Sequence, residues 1–539
     1  MKPMSFDFNT RRSMVVGRRG MVAASNPLAA QAGLAVLRRG GNAADAAVAA
    51  AAVLNVTEPA STGIGGDMFA LYYDAKTKQV TALNGSGRAP MALTADMLRR
   101  EGVVEISLHS PHAITVPGAA AGWEDLLKRH GRMTLKDVLQ DAIHYARDGF
   151  PVHPVFAAGW QKLEPLLKNS PHTEDYLPGG SAPKTGQVVQ LPGLARTFEA
   201  VAEGGAAAFY TGEIGDAIVE TIQAMGGVMT HDDLKRHVST WDEPIKADYR
   251  GITVYECPPN GQGIAALQAM QIADGFDLAS LPWDSPERLH LMVEAMRLAF
   301  ADARYYVADM ATNPAPLDFL LSESYAASRR AMISPQLAMM PPTFGMPMAG
   351  SDTVYLSAAD GEGNACSFIN SLYTGFGTGI VAKGTGVFLQ SRGALFCLEE
   401  GHPNCLAPGK RPYHTIIPAM AVKNGDLWAS FGVMGGFMQP QGHFQVMSAM
   451  ADDDLNPQEA LNRPRWCLDG GTGSSVLLLE EGIPVKTMAR LAELGHTVRP
   501  VSGGMRGVFG DGQIIRRDPQ TGVLFGGSDP RKDGLTAAF

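Results

Sequence analysis

From Ala331 to Ser351 the chain carries no charge, and Met, Pro and Gly crowd the segment. Asp352 ends it, and Thr353 opens TVYLSAAD, whose alternation is that of a strand inside a sheet. A proline-broken stretch cannot join such a sheet, because each proline lacks an N–H for the ladder. This abrupt change divides the chain into two parts with different texts.

Before the junction, helix signals dominate. Asn26-Pro27 reads as an N-cap with proline in the first turn, and Gly40-Gly41 ends that helix. Asn42 caps a second, alanine-rich helix to about Leu54, whose small side chains suit close packing in the interior. The loop STGIGGDMF leads into a strand at 69–74 and another near 80–85. From Leu93 to Gln223 the pattern is mostly helical, GITVYECPPNGQGIAALQAMQ reads strand, Gly-rich turn and helix, and helical text continues to about Met332. Beyond Thr353, ACSFINSLY and GVFLQSR read as neighbouring strands, and Asn-Gly between AMAVK and DLWASFG predicts a tight hairpin. Helical text returns from Gln441 to about Leu461. The expected class is α+β, with sheets packed between helical layers.

Several function classes are set aside. A formal charge of −9 gives nucleic acid no electrostatic footprint. Arg11 and Arg12 are followed only by Met14, Val15 and Val16 before Gly17, whereas a secretory signal needs an apolar core of roughly 7–15 residues. No run reaches the roughly 18 apolar residues of a membrane span. A cytoplasmic protein without membrane or nucleic-acid partners is expected. The 5 cysteines, unpaired in spacing, suit reduced thiols. No HExxH or GxSxG occurs, His109-x-x-His112 lacks a third ligand, and GIGGD lacks the lysine of a phosphate loop.

Thr353 has more to offer. A mid-chain threonine hydroxyl is a poor nucleophile because nothing adjacent takes its proton. Cleavage before it would free an α-amine of pKa near ~7.7–8.0, able to accept that proton and return it to a leaving group. The slack upstream segment suits such a cut. The plain alternative is a linker followed by an ordinary strand threonine.

The surrounding text resembles the gamma-glutamyltransferase family, in its glutathione hydrolase-like branch. The stretches that carry the resemblance are GGNAADAAVAAAAVLNVTEPASTGIGGDMFALYYD, DTVYLSAADGEGNA with FGTGIV, KRPYHTIIPAM, VMGGF and GGSDPRKDGLTAAF. It implies an N-terminal-nucleophile hydrolase fold, a four-layer αββα sandwich made as one proenzyme. Residues 1–352 would be the large subunit, with 331–352 as a flexible pre-cleavage linker, and 353–539 the small subunit. The cut would fall between Asp352 and Thr353, giving a heterodimer that can pair again, with no metal or organic cofactor. The resemblance makes Thr353 the nucleophile, Ser371 the partner of its new amine, and Gly435 and Gly436 the oxyanion donors. His414 and Thr415 stand where the family has two serines that contact the acyl group.

Other positions depart from the family. Ser86 stands where the family has a carboxylate-binding arginine, with Arg88 two residues later. Tyr373 replaces an asparagine, and Arg392 and Leu395 fall where a glutamine and an aspartate grip the amino end of glutamate. Glu399 or Glu400 would be the nearest acidic substitute, and the 396–410 loop reads as short, implying an open cleft. The implied activity is attack on glutathione or a related γ-glutamyl amide through an acyl-threonine. The alternative is an acylase of the same fold acting on glutaryl (cephalosporin-type) or other carboxyl-bearing amides. A third reading, an unprocessed binding protein, requires the catalytic set to be idle.

Overall fold

The computed structural model describes residues 12–339, 351–469 and 476–539. Arg11 and residues 340–350 of the expected linker lie outside the described residues. The strands of the two main sheets are β1 (Val15–Gly17), β2 (Gly20–Ala24), β3 (Asp67–Asp74), β4 (Gln79–Gly85), β5 (Thr240–Asp242), β6 (Ile245–Tyr249) and β7 (Ile252–Glu256). They continue as β8 (Ser351–Asp360), β9 (Ala365–Thr374), β10 (Ala419–Lys423), β11 (Asp426–Met434), β12 (Asp511–Arg517), β13 (Leu524–Ser528) and β14 (Leu535–Ala538).

One 7-stranded sheet runs β14-β2-β8-β9-β3-β4-β5 and the other, also 7-stranded, runs β1-β13-β12-β11-β10-β7-β6. All pairings within them are antiparallel. Both sheets mix strands from either side of the junction. β8 pairs with β2 on one edge and β9 on the other.

The period-2 geometry of the strands sorts their side chains into three apolar layers. Met21, Phe69, Leu71, Tyr355, Ile369, Met420 and Ile515 point between the sheets. Their neighbours Val22, Met68, Ala70, Leu356 and Phe368 face a helical layer that includes Pro27–Arg38 and Ala43–Thr57. On the far side, Ala419, Ala429, Phe431 and Ile514 face the helices Gly263–Asp274, Pro286–Tyr306 and Met438–Ala451. The order is therefore helix, sheet, sheet, helix, the four-layer αββα sandwich expected from the sequence.

Local signals set these elements as anticipated. Asn26 Oδ1 accepts from Leu28 N at 3.0 Å, with Pro27 in the first turn. Asn42 and Asp45 form a capping box, and every residue of Ala43–Thr57 is buried. Asn424 and Gly425 both take positive φ (53° and 82°), the two-residue turn that joins β10 to β11.

Three details differ. Val387–Phe388, read from GVFLQSR, pairs with Val381–Ala382 in a separate two-stranded ribbon, because the intervening glycine turns carry it away from the main sheet. The helix expected over 441–461 is two, Met438–Ala451 and Pro457–Asn462, the second restarted by an Asn456 cap followed by proline. β8 begins at Ser351 rather than Thr353, so the Asp352–Thr353 bond lies within the ladder.

Among the described residues no helix is long and apolar enough to cross a membrane.

The C-terminal GGSDPRKDG stretch is fixed by charge. Arg531, fully buried, pairs with Asp529 at 2.9 Å and with Glu480 at 2.5 Å. Arg465 meets the same Asp529 at 2.7 Å, and Arg506 meets Glu480 at 2.7 Å. Removing one member strands the others without solvent. We expect Arg531→Leu to cost roughly 3–5 kcal/mol, read as a lowered denaturant midpoint. An unchanged midpoint would mean that the network does not hold this end of the fold.

Candidate functional site

Thr353 lies where the β8–β9 ladder slips. Asp352 pairs with Tyr373 and Val354 with Asn370, so Ser371 and Leu372 together oppose Thr353 and the bulge lies in β9. Bulges re-aim side chains, and here Thr353 Oγ1 meets Ser371 Oγ at 3.1 Å. Both residues are fully buried. Tyr373, two residues on, holds φ at 81°, a costly conformation for a non-glycine residue, while its N–H donates to Ser371 Oγ at 2.8 Å.

Arg392 ties this corner together. One guanidinium nitrogen donates to Ser371 Oγ at 3.1 Å and the other to Thr415 Oγ1 at 2.7 Å. Its Nε faces Asp67 Oδ2 at 3.9 Å, and its plane lies 4.7 Å from the Tyr373 ring centre. Burial lowers its pKa to about 10, which still leaves it charged at neutral pH. The sequence reading placed Arg392 against substrate; here both terminal nitrogens donate within the protein, while Nε faces Asp67 without a hydrogen bond.

Asp67 is the acidic group behind Arg392. Its carboxylate accepts from Gly87 N at 2.9 Å, Gln390 Nε2 at 3.0 Å and His414 Nε2 at 2.9 Å. Burial opposes the charge, yet the His414 bond, Arg392 and Gln390 together hold the Asp67 pKa below the usual carboxylate value. His414 Nδ1 accepts the Ile416 N–H at 3.3 Å, which requires a lone pair there. The imidazole is therefore neutral, and burial, with Arg392 nearby, lowers its pKa to about 3. Thr415 is likewise fully buried, its hydroxyl taken by Arg392.

Gly435 and Gly436 close β11 with φ of 125° and 60°, conformations that glycine adopts without strain. Their carbonyls accept from Met438 and Gln439 N–H, so the turn opens the Met438–Ala451 helix. Gln262 Nε2 bridges Gly436 O at 2.9 Å and Thr415 O at 2.7 Å, joining the turn to the Arg392 network. Neither glycine N–H donates to a described residue.

Ser86 is buried and bonded to Asn84 at 2.7 Å and Asn260 at 3.2 Å. Arg88 is only half-buried, and its guanidinium meets no acceptor or anion among the described residues. It adds positive charge near Arg411 and His237. Leu395 is buried, while Glu399 and Glu400 stand exposed at a turn closed by His402 N to Glu399 O.

Sequence reasoning missed Asp67, Gln262 and Gln390. The signal for Asp67 was in GIGGD: a lone acid at the head of an apolar strand must be satisfied internally. A Cβ on Gly66 would fall 2.2 Å from Ser371 O, so the glycine allows this loop to reach the Thr353 corner.

Outside this corner, His290, Glu294 and His496 present metal-ligating atoms within 4.8 Å of one another. There His290 Nδ1 meets His496 Nε2 at 2.8 Å, His290 Nε2 donates to Ser334 O at 2.7 Å, and Arg297 pairs with Glu294 at 3.1 Å. A fixed guanidinium on the carboxylate opposes a divalent cation at this cluster.

The gamma-glutamyltranspeptidase family model matches residues 29–539 of this chain. The chain is a member of that family. It is 39% identical over 528 residues to the glutathione hydrolase-like YwrD proenzyme of Bacillus subtilis (strain 168), covering 97% of this chain and 99% of the relative. The oxamate amidohydrolase proenzyme of Klebsiella pneumoniae is 33% identical over 537 residues, covering 97% and 99%. A crystal structure of cephalosporin acylase from Bacillus halodurans superposes with a TM-score of 0.93 at 44% identity, covering 100% of this chain and 99% of that one. The family and fold make this chain a hydrolase or transferase of the N-terminal-nucleophile type.

The neutral state of His414 has a measurable consequence. With a folded pKa of about 3 against the usual 6.5, it binds fewer protons in the native state than in the unfolded chain between those values. Its stabilisation is complete above the usual pKa and drains on acidification, at roughly 1.4 kcal/mol per pH unit. His414→Asn keeps an N–H for Asp67 but takes up no proton. Between about pH 6.5 and 4.5 it should lose roughly 2 kcal/mol less than wild type in urea unfolding. Equal losses would place a charged imidazole at this position.

Proposed function

We propose that the chain is an autoprocessing amidohydrolase or acyltransferase that uses Thr353 and takes acyl donors bearing a free carboxylate, γ-glutamyl and glutaryl amides among them. The observation that carries this reading is the buried Thr353 hydroxyl, opposite a bulge in β9 and 3.1 Å from Ser371, one residue beyond an uncharged segment.

Processing comes first. Thr353 Oγ attacks the carbonyl carbon of Asp352, its proton passes to the departing nitrogen, and the C–N bond breaks. An ester now joins Asp352 to Thr353 Oγ. Water hydrolyses it, leaving a carboxylate on Asp352 and a free amine and hydroxyl on Thr353. In turnover that amine takes the hydroxyl proton as Oγ attacks the donor amide, and returns it to the leaving amine. Gly435 and Gly436 N–H groups donate to the oxyanion, where one such donor is typically worth 100- to 1,000-fold. Water or an amine resolves the acyl ester.

The donor's far end meets Arg88, the half-buried guanidinium without an anion among the described residues. Among the described residues, neither Asp67 nor the Glu399–Glu400 pair is placed to receive an α-ammonium there. The Asp67 oxygens already accept from Gly87, Gln390 and His414, and Glu399 and Glu400 are exposed. The relative named glutathione hydrolase-like supports γ-glutamyl donors, and the cephalosporin acylase likeness supports donors lacking the amino group.

Wild-type protein should run as two bands on a denaturing gel, the smaller starting Thr-Val-Tyr-Leu-Ser. Thr353→Ala should stay one inactive chain, and a different start found by N-terminal sequencing moves the nucleophile elsewhere.

A buried carboxylate for the substrate ammonium would be worth ~2–5 kcal/mol. Without it, matched γ-glutamyl and glutaryl anilides should differ by less than about tenfold in kcat/KM. Arg88→Ala should weaken both alike. A hundredfold preference for the γ-glutamyl donor restores a strict γ-glutamyl enzyme, and normal kinetics in Arg88→Ala assigns the carboxylate to another residue.

A further inference from the structure

Arg392 is fully buried, as is Asp67. A buried ion pair is a weak source of stability, because desolvation offsets most of the attraction, so its position calls for another reason. That position is specific. Ser371 is on β9, in the sheet that carries Thr353, and Thr415 shortly precedes β10, in the other sheet. Arg392 donates to both hydroxyls, bridging the sheets at the corner where Thr353 sits.

The guanidinium is held from behind as well. Asp67 stands at 3.9 Å from its Nε and is itself held by three N–H donors, from Gly87, Gln390 and His414. The Tyr373 ring lies against the guanidinium plane at 4.7 Å. The pair is thus a fixed dipole with its positive end toward Ser371. From Arg392 Nη2 to Ser371 Oγ is 3.1 Å, and from there to Thr353 Oγ1 another 3.1 Å.

We propose that Arg392 is a positioning residue: it orients the Ser371 hydroxyl toward Thr353 and, as a fixed positive charge two hydrogen bonds away, keeps the Thr353 amine in its unprotonated, basic form. The inference rests on the reading of Thr353 as the N-terminal nucleophile. A positive charge nearby disfavours a second one, so the ammonium form of the amine loses its proton at lower pH than it otherwise would. The base is then available at neutral pH.

The other groups facing this corner leave the effect to Arg392 and Asp67. His414 is neutral, with Nδ1 accepting from Ile416. Burial pushes the Tyr373 hydroxyl up to about 12, with Glu105 acting in the same direction. The Tyr413 hydroxyl, also raised by burial, donates to Gln262 at 3.0 Å. Arg411 acts on His414 and, with Arg88, on His237, and its Nε donates to Ser86 O at 3.1 Å.

The test is the pH dependence of kcat/KM for a glutaryl anilide between about pH 5 and 10, with wild type, Arg392→Lys, Arg392→Gln and Asp67→Asn. Arg392→Gln removes the charge, and the acid limb should move up by on the order of one pH unit. Its kcat should fall at least about tenfold while KM stays within about threefold, because the residue acts through Ser371 rather than on substrate. Arg392→Lys restores the charge and should return the limb to near its wild-type place. Asp67→Asn leaves the guanidinium uncompensated and should move the limb the other way, to lower pH. If Arg392→Gln remains one uncleaved chain, the Asp67→Asn and Arg392→Lys profiles decide alone.

A limb that stays put in Arg392→Gln or, where that variant is unprocessed, in Asp67→Asn overturns the proposal. So does a defect confined to KM. A wild-type small fragment that starts at Thr353 keeps the nucleophile reading standing in that case, and a fragment that starts elsewhere removes that reading first.

Discussion

β8 is hydrogen-bonded on both edges, to β2 and to β9, and covered on both faces by apolar layers. A strand held in that way cannot leave the sheet without exposing a full ladder of backbone groups. The proposed cut at its start therefore frees a chain end without freeing the strand. Both sheets are woven from strands on either side of the junction, so the two products would share one interior. That constraint would let the proposed cut be made while the geometry around Thr353 is preserved.

The electrostatics of the corner follow from the same burial. With water excluded, each charge must find a fixed partner, and the chain supplies few. Asp67 balances the charge of Arg392 from 3.9 Å, three N–H groups satisfy Asp67, and a neutral His414 completes the set without adding charge. Arg88, nearer the surface, is left with its guanidinium unengaged by any described residue. The division is physical: the inner arginine is held by protein groups, and the outer one is left open.

Much of this was legible in the text because it is local. The Asn26 and Asn42 caps, the Asn424-Gly425 turn and the alternation after Thr353 each depend on a few adjacent residues, and each forms as read. Thr353 and Ser371 were picked out as a pair, and the structure brings their hydroxyls together. Arg392 was flagged for the substrate, and its neighbours within the protein were not foreseen. Its partners are separated from it by 21 residues (Ser371), 23 residues (Thr415) and more than 300 (Asp67), and no pattern in the chain records such contacts. The ribbon at 387–388 and the break in the 441–461 helix were missed because glycine turns and a new cap outweigh apolar composition.

By itself the sequence determined the class of fold, the place of the junction and the residue types available for chemistry, since periodicity, caps and motif text are properties of neighbouring residues. Only the tertiary structure decided which charges meet. It set Asp67 behind Arg392, turned His414 inward as a neutral donor, kept Glu399 and Glu400 at the surface and left Arg88 half-open. Those outcomes depend on burial and on approach within a few ångströms across the two sheets, and both exist only once the layers have packed.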